Sequence, residues 1–161
     1  MIDVLRRLDR AMDARAKLNR SIAYPITLAP KLGESEHLPS LDDPLGHGIR
    51  LFNEGYFFEA HEHLEGIWIR DTTPSRKFYQ GLIQVASGYH HFQNGNPRGA
   101  VRLLVKGSNL LRPFGAAHGG VDITSLLQEV NLHVEAISHL QNGAASNTGI
   151  EFPKIRYDQP P

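Results

Sequence analysis

The chain has 161 residues, 17 Lys and Arg against 17 Asp and Glu, 40% hydrophobic content and no cysteine. That length suits one domain with one core. The cancelled charge removes any overall bias toward nucleic acid or an anionic membrane. The missing thiols exclude disulfides and thiolate chemistry, so any metal must take His and carboxylate ligands. No apolar run approaches the roughly 20 residues that cross a bilayer, and the start Met1–Arg7 lacks a signal peptide's apolar core. A cytoplasmic protein without a membrane partner is expected.

In chain order, residues 3–20 place Val4, Leu5, Leu8, Ala11 and Met12 on one side, which predicts an amphipathic helix. Tyr24 to Pro44 carries four prolines among Gly, Ser and Asp and reads as a connector. Asp42 or Asp43 then caps a helix with Pro44 in its first turn, running through Ile49, Leu51 and Phe52 until Gly55 ends it. Further helices are predicted over Phe57–Arg70, 75–94, Arg98 to about Leu111, and Asp122 to Leu140. Asn94-Gly95-Asn96-Pro97 is a turn, Pro113 a stop, and His118 a loop residue in a Gly-rich stretch. Everything after Asn142 reads as a tail. The division is therefore 1–40, a helix and connector; 41–142, a helical domain; and 143–161, a tail.

Charge is uneven locally. Residues 34–71 hold nine acids against two bases, while residues 72–121 hold six bases and no acid. Arg98, Arg102 and Lys106 recur every four residues as a basic ridge. The ridge reads as a solvated helix face. It lacks the aromatic interleaving of a single-strand binder, so nucleic acid is not an expected partner. A repeat at an offset of 40 residues aligns Gly48, Phe52, Gly55, Ala60 and Leu64 with Gly88, Phe92, Gly95, Ala100 and Leu104. The shared unit is helix, Gly turn, helix, with the small Ala of a tetratricopeptide-type hairpin.

Over Phe57–Arg70, the core stripe is Phe57, Ala60, Leu64, Ile67 and Trp68, with Phe58 and Ile69 extending it round the helix. His61, Glu62 and Glu65 fall inside that widened arc, and His63 falls opposite, toward water. Buried charges need partners. On the following helix Gln80, Gln84, Ser87 and His91 form an uncharged polar stripe, the expected partner of the His-Glu arc. His61 and Glu65 stand four apart, close enough to grip one ion. The zincin pattern would need His where Glu65 stands, so a third ligand has to come from His90, His91, His133 or another remote residue. Glu62 and Glu65 are the candidates for general acid and base work. Trp68 is core or the wall of a pocket. Phosphate-loop, dinucleotide and nucleophile-elbow motifs are missing from the sequence.

The run Leu51 to Trp68, LFNEGYFFEAHEHLEGIW, with Phe78 to Ala86 and Gly95-Asn96-Pro97-Arg98-Gly99-Ala100, resembles the signature of domain-of-unknown-function family 309. The likeness covers about residues 45–111 and implies a compact all-helical fold with no established activity. Its motif falls on Asn53, His61, Glu62, Glu65, Trp68, Gln80 and Gln84.

The expected architecture is all-α, two antiparallel tetratricopeptide-like hairpins plus flanking N- and C-terminal helices. Two functions are consistent with it. One is a non-enzymatic binding or scaffolding module whose polar cluster comprises Asn53, His61, Glu62, Glu65, Trp68, Gln80, Gln84 and His91. The other is a metal-dependent hydrolase in which His61 and Glu65 hold a divalent metal and Glu62 acts on water. The helix at residues 3–20 could also pair two chains as a homodimer.

Overall fold

The computed structural model describes residues 43–140 and 150–160. The amphipathic helix expected at residues 3–20, with the homodimer it was to mediate, lies outside them. Among the described residues five helices carry the domain: α1 (Pro44–Asn53), α2 (Phe57–Arg70), α3 (Arg76–Gln93), α4 (Pro97–Leu111) and α5 (Ile123–Ser138). Between α4 and α5 come a 3-10 turn (Arg112–Phe114) and a two-stranded antiparallel ribbon, β1 (Ala117–His118) with β2 (Val121–Asp122). The domain is all-α, and each helix packs on the next in chain order.

Local chemistry sets the helix ends. Asp43 accepts from Gly46 N at 2.9 Å and Asn96 accepts from Gly99 N at 3.0 Å, each followed by a proline at the first helical position. Asp122 caps α5 through Ser125 N at 2.9 Å. Gly55 and Gly95 close α1 and α3 with φ of 85° and 73°, a region that costs glycine little and other residues more. Around both, the same pair of bonds forms. Tyr56 N reaches Leu51 O and Gly55 N reaches Phe52 O, as Asn96 N reaches His91 O and Gly95 N reaches Phe92 O.

The 40-residue repeat is thus a repeat of structure. A Cβ on Gly48 would lie 2.9 Å from Leu64, and one on Gly88 2.7 Å from Leu104, the equivalent leucine. Ala60 and Ala100 are both fully buried. A second α3–α4 contact brings backbone to backbone, because a Cβ on Gly107 would meet Val85 at 2.7 Å and the Gly81 carbonyl at 2.9 Å. Small residues at these crossings let the helices interlock at interior packing density.

Residues 150–160 were expected to belong to the tail, yet they dock as an extended strap. Ile155 is buried, and Phe152 packs on Phe57, Tyr89 and Phe92. Backbone bonds run from Asp122 N to Arg156 O at 3.0 Å and from Asp158 N to Gly120 O at 2.9 Å, and Val121 bridges to Tyr157. Three apolar or aromatic anchors spaced two or three apart give this segment what a polar tail lacks.

Candidate functional site

The antiparallel register of α2 and α3 is fixed at both ends. Near one end the Arg76 guanidinium lies over Trp68, 4.3 Å from the ring centroid. Near the other, Phe58 packs on His90 with ring centroids 5.3 Å apart. Between these contacts lie His61 and Glu65 on α2, and Gln80, Gln84 and Ser87 on α3. His61 is only 4% exposed, and Gln80, Gln84 and Ser87 are buried with it. These members of the expected cluster are thus buried or half-buried on the two facing helices.

Three expected members leave it. Glu62 is exposed. The arc that included it was widened by Ile69, and Ile69 is itself 58% exposed, so the buried face closes before reaching a carboxylate about 100° beyond His61. Asn53 faces the strap instead: its amide donates to Ile155 O at 3.0 Å and accepts from Ile155 N at 2.7 Å. His91 is half-buried at the turn, its Nδ1 receiving the Asn96 amide at 3.0 Å. His63, expected in water, is half-buried, with Nε2 2.7 Å from Pro44 O and its ring edge-on to His47.

His61 Nε2 and Glu65 Oε2 are 4.0 Å apart, beyond hydrogen-bond reach. The remote ligand candidates are committed elsewhere. Asn94 donates to His90 Nε2 at 3.0 Å, and His133 Nδ1 lies 2.6 Å from the Tyr89 hydroxyl. Among the described residues no three His, Asp or Glu side chains converge to hold a metal ion. Burial, helped by His91 and His61 nearby, pushes His90 down to about 4, so it is neutral at pH 7. Burial lowers His133 as well, against the smaller opposing pull of Glu129.

Among the described residues Glu59 Oε2 on α2 is buried without a hydrogen-bond partner, and so are two atoms of residues expected in the α2–α3 seam: Trp68 Nε1, a donor, and Gln84 Oε1, an acceptor. Sequence reasoning placed both residues here without seeing that they would be left unpaired. It missed Arg76 on Trp68, a cation one residue after the Pro74-Ser75 break and so at the point where α3 first meets the end of α2. It also read His118 as a loop residue. The imidazole accepts a place between Phe78 and Phe114, with Nε2 2.9 Å from Ser75 Oγ, and pins the β ribbon to the start of α3.

Fold and seam together define a class: a small all-α domain built from a duplicated helix-Gly-helix hairpin with a polar layer between its middle helices. Residues 45–103 match the family described as a domain of unknown function, DUF309. The chain is similar to Uncharacterized protein YpuF of Bacillus subtilis (strain 168), 33% identical over 91 residues that make up 51% of each chain. It is also similar to an uncharacterized protein of Aquifex aeolicus (strain VF5), 37% identical over 54 residues, 33% of this chain and 16% of that one. The chain thus spans about half the length of the first relative and less than a fifth of the second.

Proposed function

We propose that the domain is a non-enzymatic binding module whose α2–α3 seam receives a small polar ligand. One observation carries this reading: a buried indole N–H and a buried amide oxygen without partners, on facing helices. Each such group costs on the order of 1–3 kcal/mol while unpaired, and buried polar groups are otherwise satisfied almost without exception. A ligand that offers an acceptor to Trp68 and a donor to Gln84 would relieve both. Small primary amides carry that pair of functions, and a carboxylic acid does so in its protonated form.

The test is a thermal-shift panel of small carboxylic acids and primary amides on the parent chain and on Gln84→Met, which is close in shape and has no carbonyl. At least one compound is expected to raise the parent's midpoint. Gln84→Met is expected to hold or raise the ligand-free midpoint and to lose that gain. An equal gain in Gln84→Met would remove the ligand reading. Metal co-purifying with the untagged parent and absent from His61→Ala would support the hydrolase reading in its place.

A further inference from the structure

The strap binds as a peptide ligand does. Its recognition is largely main-chain: Asn53 exchanges two bonds with the Ile155 backbone as a strand neighbour would, and Gly120 O and Asp122 N pair with the Asp158 and Arg156 backbone. The Lys154 ammonium adds a bond to the Asn53 carbonyl. Side chains set the register, with Ile155 and Pro153 buried, Phe152 on the aromatic cluster, and the Tyr157 hydroxyl donating to Asp43 at 2.9 Å. Gly120 is shaped for this guest, since a Cβ there would lie 2.1 Å from Asp158 O. Extended-segment recognition by backbone pairing plus alternate side-chain pockets is one of the common ways proteins bind peptides.

The described bonds and ring contacts of the strap go to α1, to the start of α2, to α3, and to the β ribbon with its Gly turn. α5, the helix after which residues 141–149 lead into the strap, contributes none of them. A strap from another chain could make each of these described contacts in the same way. We propose that this groove is also a docking site for the strap of a second copy of the chain, so that two copies exchange straps reciprocally. Nine linking residues reach at most about 30 Å, which keeps the strap of the same chain at a high local concentration. Exchange then grows with protein concentration, and its two contacts are identical by symmetry.

Complementation tests this. A groove-defective full chain carries Asn53→Ala with Gly120→Ala and keeps an intact strap. A strap-defective full chain carries Ile155→Asp and keeps an intact groove. Mixed at equal concentration, the two are expected to form a heterodimer in sedimentation velocity that neither forms alone. A mixture that associates no more than its separate components overturns the proposal. A synthetic peptide of residues 150–160 provides a second measurement: it is expected to bind the strap-defective chain saturably and the groove-defective chain not at all. Equal binding to both, or binding to neither, is equally fatal. Should Ile155→Asp lose helical circular dichroism, Tyr157→Phe replaces it as the strap-defective chain.

Discussion

Gly66 and Gly107 are both helical glycines, and their surroundings give them opposite roles. Nothing lies within 4 Å of a Cβ built on Gly66, whereas one on Gly107 runs into the backbone of α3 at the Gly81 carbonyl. Gly66→Ala is expected to stabilise by about 0.5–1 kcal/mol, the difference in helix preference. Gly107→Ala is expected to destabilise by about 1–3 kcal/mol through overpacking. Urea midpoints of the two variants check both signs together.

His90 sets a pH dependence at the same scale. Its value in the folded chain is depressed from 6.5 to about 4, so its contribution to stability is complete above 6.5 and is lost as pH falls toward 4, where the unfolded chain takes up the proton first. Stability is therefore expected to decline between pH 6.5 and 4. His90→Gln, which does not titrate there, should flatten that decline in denaturant titrations. Residue chemistry of this kind was only half legible in the sequence. Helical spacing put His61 inside correctly, but the same wheel let one exposed isoleucine draw Glu62 into the arc.

At the scale of elements, boundaries were legible because their causes are local. Asp43-Pro44 and Asn96-Pro97 announce their helices within the residues that cap them, and Gly55 and Gly95 announce the stops. Asn96→Ala removes both the α4 cap and the bond to His91, and should cost about 0.5–2 kcal/mol in thermal or urea unfolding. Asp43 joins a local function to a distant one, capping α1 through Gly46 and receiving the Tyr157 hydroxyl. Burial and that carboxylate push Tyr157 up to about 12. A double-mutant cycle of Asp43→Ala and Tyr157→Phe should give non-additive losses, whereas Asn96→Ala with Tyr157→Phe should add. The partnership of Asn53 with Ile155 spans 102 positions, so no helix period or turn signal reports it. The sequence likeness marked Asn53 as important without indicating that its task lay with the strap.

For the molecule as a whole, the duplicated hairpin was readable because the repeat preserves contacting pairs: Gly48 with Leu64, Gly88 with Leu104. The acidic first hairpin and the basic second one are a further property of the whole chain. Arg98, Arg102 and Lys106 are all exposed on α4. With formal charge cancelling overall, stability is expected to change little between low and moderate salt.

The hydrogen bonds between the strap and α1 have a consequence for the order of events during synthesis. Helices that pack neighbour on neighbour can assemble as they leave the ribosome, but Asp43 and Asn53 must wait until positions 155 and 157 have been made. While the residues between them are being made, α1 therefore offers a vacant seat. On a crowded polysome, the strap that fills it could belong to the nascent chain ahead.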